Sequence, residues 1–360
     1  MTKTLRFLRA LLLCVAASGA AFAQQAQPRQ APLTSNEFLA LVRQLPKQPG
    51  VKTQLIEELR RRGIDFTLTA GLRSFLATKS GNDPDLRRAL EEAERRHLNP
   101  KEAAPPDPAE ADELLRKTRE ATLEALASMP DFVVKQLITR ARAQGRTQNW
   151  VTSDRLTVGV SYREQDGEKY RLLAVNGIAS PPGQAEERGD YASARGTSST
   201  GEFVSVLKLL FSDESKTAFK VVDADTLRGR RTYVYEFEVK RANSRHVLSY
   251  NDTRSVLVGH RGRLWVDREL GRVLRVESEA TEIPQDFPIT ASSNAIDYDW
   301  VNIPSKGDYL LPARALLLMT VSADGRVLQH RNDIRFRNYQ KYGSELKILD
   351  DDIIEEEEKP

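Results

Sequence analysis

Cysteine is almost missing from this chain: of its 360 residues only Cys14 carries a thiol, which excludes an intramolecular disulfide and a cysteine-built metal site. The four histidines, His97, His246, His260 and His330, are scattered. None has a second histidine at the H-x-x-x-H or H-E-x-x-H spacing that brings two imidazoles to one metal. No apolar run reaches the roughly 18 to 20 residues that a membrane-spanning helix needs. Nucleotide and acyl-transfer motifs are absent as well. The stretch GTSSTG at 196–201 lacks the lysine of a P-loop and the G-x-S-x-G spacing of a nucleophile elbow. It reads as a loop that caps the following helix through Ser199 or Thr200, with Glu202 nearby.

A strong charge of one sign is also lacking. Lys and Arg number 54 against 51 Asp and Glu, and Lys3, Arg6 and Arg9 account for the whole difference. The chain beyond them has no bulk field of the kind a nucleic-acid binder carries, which leaves only local basic patches. Paired carboxylates for acid and base work are hard to find. Glu277 and Glu279 share one strand face with Glu282 just beyond, and acids lined up on one strand read as solvated surface, whereas a glycosidase needs one dry and one wet acid on separate elements. His260, in the segment 258–262, reads as a surface residue on a tight turn. The acidic block at 350–352 and 355–358 reads as a disordered tail over 350–360, with no specific cation site. No catalytic residue, metal or cofactor is assigned.

What the sequence does contain begins at its start. Lys3, Arg6 and Arg9 precede a short apolar core at 11–22, and Ala21-Phe22-Ala23 has the small-x-small pattern of a cleavage site. Residues 1–23 therefore read as a secretory signal peptide. The protein is expected to be periplasmic or secreted after cleavage near Ala23, with no transmembrane segment in the mature chain. Cys14 does not make it a lipoprotein, because Leu12-Leu13 lacks the small residue that precedes an acylated cysteine.

Residues 35–98 read as a small helical module. Phe38, Leu41, Val42 and Leu45 recur at helical spacing, as do Leu55, Ile56 and Leu59. Asn36 or Ser35 caps the first helix, Gly63 ends the second, and Asp83-Pro84 opens a last one. Ile64 and Phe66 lie where the chain turns, placed to lock neighbouring helices together. Pro100, Pro105, Pro106 and Pro108 make 99–108 a linker. Helical spacing resumes at Ala109 with Leu114, Leu115, Thr118, Thr122 and Leu126, and a second helical segment is expected over 132–143.

After Trp150 the period changes to two. Leu156, Val158, Val160 and Tyr162 point one way, and about ten strands follow, separated by turns such as Asn176-Gly177 and Asp324-Gly325. The expected fold class is α+β over 109–349: a strongly curved antiparallel sheet, an unclosed β-barrel, with covering helices, preceded by the small all-α module. Tyr233, Tyr235, Phe237 and Val239 alternate with Thr232, Val234, Glu236 and Glu238, so one face is dry and needs a cover. The helix expected at 201–211 supplies it, with Phe203, Val206, Leu207, Leu210 and Phe211 in one stripe.

The run GRLWVDRELGRVLRVE at 262–277 forms a hairpin that resembles a recurrent hairpin of the bacterial lipoprotein-carrier fold, the outer-membrane lipoprotein-sorting proteins and their LolA and LppX-like relatives. In topology the resemblance spans 109–349; the helical module is an addition to it. The resemblance implies a non-enzymatic protein that binds a lipid or acyl chain in the concavity. The candidate lining is Phe203, Leu207, Tyr233, Tyr235, Phe237, Leu264, Val266 and Leu317. The alternative is an envelope assembly module with a filled core, in which the unit at 35–98 recruits an envelope protein.

Overall fold

The computed structural model describes residues 31–48, 50–100, 106–179, 205–251, 253–323 and 325–343. The expected leader, the GTSSTG stretch, Phe203 and the acidic block at 350–360 lie outside them.

Four helices form the amino-terminal unit: α1 (Ser35–Gln44), α2 (Gly50–Arg62), α3 (Ala70–Ser80) and α4 (Pro84–Leu98). The cap of α1 is Thr34, one residue before the expected Ser35, because Glu37 then stands three positions on and closes a reciprocal capping box. Gly63 ends α2 at φ +71°, a left-handed conformation that glycine adopts without steric cost. Asp83 caps α4 by accepting from the N–H groups of Asp85 and Leu86, with Pro84 in the first turn. Phe38, Val42, Leu55, Leu59, Leu86 and Leu90 make its core. Ile64 pairs with Leu33 as a parallel bridge, and Phe66 packs on Phe38 at 5.5 Å.

The helix α5 (Pro108–Ala127) leads into twelve strands: β1 (Phe132–Gln144), β2 (Val151–Arg163), β3 (Gly167–Val175), β4 (Ile178–Ala179), β5 (Ala218–Leu227), β6 (Arg230–Val239), β7 (His246–Tyr250), β8 (Arg254–Asp267), β9 (Val273–Thr281), β10 (Ile289–Ile303), β11 (Gly307–Ala323) and β12 (Arg326–Lys341). The helix α6 (Ser205–Phe211) precedes β5. Every pairing is antiparallel, in the order β4-β3-β2-β1-β12-β11-β10-β9-β8-β6-β5, with β7 on the far half of β8. The sheet does not close.

The segment 132–143 is strand β1, not the expected helix. Phe132, Val134, Gln136 and Ile138 face the core, and Val133 and Lys135 on the opposite side are also buried, so burial on both faces removed the alternation that marks a strand. His260 likewise lies inside β8 rather than on a turn, because 254–258 and 264–267 are one continuous strand. Among the described residues no helix is long and apolar enough to cross a membrane.

Candidate functional site: the concave face of the sheet

The register of the ladders places one apolar row straight across the concave face. Tyr235, Leu264, Val276, Ile296, Ala315, Ile334, Ile138 and Leu156 lie side by side on eight successive strands, and all are buried in one cluster. Two residues further along each strand, the same face turns polar. That row reads Phe237, Gly262, Ser278, Asn294, Leu317, Asn332, Arg140 and Asp154. Ser278 Oγ donates to Asn294 Oδ1 at 2.6 Å, and Arg140 donates from Nε and Nη2 to Asp154 at 2.6 Å each. The concavity is therefore amphipathic, an apolar floor beside a polar belt.

Two helices lie on the floor. α6 buries Leu207, Leu210 and Phe211 in the cluster, with Phe211 stacked on Phe219 at 5.7 Å. α5 adds Ala111 and, at its edge, Leu114, Leu115, Leu123 and Leu126. Among the described residues, polar ties between this cover and the sheet are sparse. Tyr235 donates its hydroxyl to the Ala111 carbonyl at 2.7 Å, and Arg268 reaches Glu110 at 3.1 Å while its guanidinium lies 4.3 Å above the Tyr233 ring. Burial raises the pKa of the Tyr235 hydroxyl, which keeps it a donor.

Of the expected lining, Leu207, Tyr233, Tyr235, Phe237, Leu264 and Val266 come together in the single cluster under the helices. Leu317 is buried but sits in the polar row, between Asn294 and Asn332. One residue that the sequence did not single out is chemically the most unusual. Gln136 faces the floor between Val134 and Ile138, opposite Val158 and Phe336, with no exposed surface. Neither its amide nitrogen nor its amide oxygen makes a hydrogen bond. A buried amide without partners costs about 1–3 kcal/mol. Its signal in sequence was a lone polar residue in the run FVVKQLI, indistinguishable there from an outward-facing position.

The histidines form no relay. His246 and His260 stand with ring centroids 5.6 Å apart, and His260 Nδ1 lies 3.4 Å from Ser244 Oγ. Burial, followed by the neighbouring His246 ring, brings the His260 pKa down to about 4, and burial alone lowers that of His246. No carboxylate raises either, so the ring that would activate Ser244 is a weak base. Among the described residues no group of His, Cys, Asp and Glu is placed to hold a metal.

The opposite, convex face carries the helical unit, and there the expectation for Glu277 fails. Glu277 is not solvated surface: Arg60 donates to it at 2.6 Å, Arg88 lies at 3.2 Å and Arg275 at 3.7 Å. Burial works against its charge, but the three guanidinium groups overcome it and hold the pKa at about 2. Arg95 grips Asp225 at 3.0 Å, and Trp265 donates from Nε1 to the same carboxylate at 3.1 Å. Arg96 pairs with Asp223 and also donates to the Leu59 and Arg60 carbonyls at 2.9 and 2.8 Å, near the end of α2. Glu279 and Glu282 do match the expected solvated role: Glu279 pairs with Arg261 at 2.5 Å on the surface, and the exposed Glu282 accepts from the Arg241 N–H at 2.9 Å.

No family model matches this chain, and no curated protein does. Among solved structures, it is similar to an outer membrane lipoprotein-sorting protein domain from Vibrio parahaemolyticus, with 14% identity and a TM-score of 0.30, over 64% of this chain and 95% of that one. A DUF1329 family protein from Desulfovibrio piger aligns with 11% identity and a TM-score of 0.32, over 67% and 96% of the two chains. A chain of the Pseudomonas aeruginosa MucA/MucB complex aligns with 11% identity and a TM-score of 0.17, over 61% and 94%. At such identities and TM-scores none of these likenesses carries a function, which has to stand on this chain's own residues.

Proposed function

We propose that this protein is a non-enzymatic binding protein of the carrier type, which takes an acyl chain with a polar link, an ester or an amide, into the concavity of its sheet. The observation that carries this reading is Gln136. An amide held dry and unpartnered in an apolar floor is a standing cost to the fold, and a ligand with an ester or amide group removes it by supplying the missing partner. The neighbouring rows support the same ligand chemistry, since an apolar row accepts the chain and the Asn294 to Arg140 belt accepts a polar end. The cover supports it too. α5 and α6 meet the floor through apolar surface and few hydrogen bonds, so a chain that replaces their contacts costs little specific bonding.

Native mass spectrometry of the protein purified without detergent, followed by organic extraction, tests the proposal. A co-purified lipid, or uptake of a fatty-acyl ester by delipidated protein, is the expected result, and Gln136→Leu is expected to lower that uptake at least tenfold while making the empty protein more stable. An apo mass with no uptake, in wild type and variant alike, sinks it. A second reading then gains: six of the eight expected lining residues, Leu207, Tyr233, Tyr235, Phe237, Leu264 and Val266, already share one packed cluster with residues of α5 and α6, as in an assembly module whose core needs no ligand.

A further inference from the structure

The ion pairs of the helical unit reach the convex face at β5 and β9, with Arg95 and Arg96 on Asp225 and Asp223 and Arg60 and Arg88 on Glu277. The other end of that face, on β12, β1, β2 and β3, is basic. Arg337, Lys135, Gly159 and Arg171 are neighbours in one row across these four strands, and Arg335 stands two residues before Arg337 on the same side. Arg171 and Arg337 are exposed, Arg335 is half-buried, and among the described residues none of the three pairs with a carboxylate. We propose that this face is the docking surface for the chain's own acidic segment, residues 344–360.

Charge complementarity is the first argument. The segment carries eight acids against two lysines, and seven of the acids stand together at 350–352 and 355–358. On the face, the row of Arg337 holds no acid. Asp333, on the same side of β12, is already shared by Arg314 and Arg331 at 2.8 and 3.4 Å. An exposed ion pair is worth little by itself, but a block of acids meeting several arginines adds its pairs in one event.

The path of the chain is the second. β12 ends at Lys341, and Tyr342 and Gly343 turn the chain, Gly343 at a left-handed φ of +86°. Arg337 and Arg335 lie four and six residues back along the strand, roughly 14 and 20 Å at the usual rise per residue. From Gly343 to Asp350 an extended chain covers up to about 25 Å, so the acidic block reaches both. Burial is the third. Lys135, in the middle of the basic row, is only 1% exposed, although α5 and α6 lie on the concave side. A lysine is almost never fully buried unless its charge is met, and an acidic cover over this face meets it. The concave site plays no part in this docking.

Carbodiimide cross-linking of the full chain tests the proposal, since that reagent joins only an amine and a carboxylate already in contact. Arg337→Lys and Arg171→Lys place an amine in the row and keep its charge, with Lys117, exposed on α5, as the internal control. The expected result is a cross-link within one chain from position 337 or 171 to the acids at 350–358, located by mass spectrometry at low salt. It should weaken at least tenfold at about 1 M salt, where screening cuts the reach of a charge to about 3 Å. The double variant Arg335→Gln with Arg337→Gln is expected to let a glutamate-specific protease cut at 355–358 at least fivefold faster than in wild type. No cross-link, one equally strong to Lys117, or one that joins two copies as a covalent dimer overturns the proposal, and so does cleavage that the double variant leaves unchanged.

Discussion

Single residues decide how closely the strands can approach. Gly262 sits in the polar row opposite Phe237, and a Cβ built on it would stand 1.9 Å from the Glu277 carbonyl oxygen. That is backbone, which cannot swing aside as a side chain could. Gly262→Ala is therefore expected to destabilise the protein by about 3 kcal/mol through forced separation of β8 and β9, read as a lower midpoint in chemical denaturation. Glu277, on the strand next to it, does the opposite work on the other face. It draws three guanidinium groups together, and Glu277→Gln would leave Arg60, Arg88 and Arg275 crowded around a neutral amide. A loss of about 3–5 kcal/mol is expected. Proteolysis should then cut between the helical unit and the sheet earlier than in wild type, and equal cleavage would show that the cluster does not hold the unit in place.

At the scale of elements, α6 is too short to be stable alone, since isolated helices need roughly 12–15 residues even in favourable sequences. Its seven residues hold their shape because Leu207, Leu210 and Phe211 are buried on the floor. Leu210→Ala is expected to cost about 2–5 kcal/mol and to raise the fluorescence of a hydrophobic dye in native conditions, as the floor under the helix becomes reachable. A variant that loses stability without binding dye would mean that the helix repacks over the floor rather than lifting. β1 makes the complementary point. It is central in the sheet, between β2 and β12, and buried on both faces, so it has none of the freedom of α6.

For the whole molecule, pH is a lever with a worked sign. Folding lowers the pKa of His260 from 6.5 to about 4 and lowers those of His246 and His330 as well, chiefly because burial disfavours the imidazolium form. The unfolded chain then binds protons that the folded chain refuses. Stability is complete above about pH 6.5 and falls as the pH drops toward 4, with His260 alone accounting for about 3 kcal/mol. Glu277 acts in a lower window: its depressed pKa gives stability that is present above about pH 4.5 and lost as the pH falls through 2. His260→Phe should flatten the stability profile between pH 6.5 and 4 and leave the fall below 4.5 intact. A profile unchanged by this variant would place the proton uptake elsewhere.

Local patterning determined much of this protein on its own. The caps at Asp83 and Gly63, the turn at Asn176-Gly177, and the alternation through Tyr233, Tyr235 and Phe237 are short-range signals, each written within a few residues and each independent of what packs on top. From them follow the helical unit, the antiparallel sheet and its dry face. Only the tertiary structure decided the rest, because burial by distant segments leaves no local trace. β1 lost its alternation when both faces were covered, and Glu277 became a half-buried hub when α2 and α4 settled on it. Gln136 turned inward through strand register alone. Period and turn chemistry are properties of neighbours in the chain; register and desolvation belong to neighbours in space.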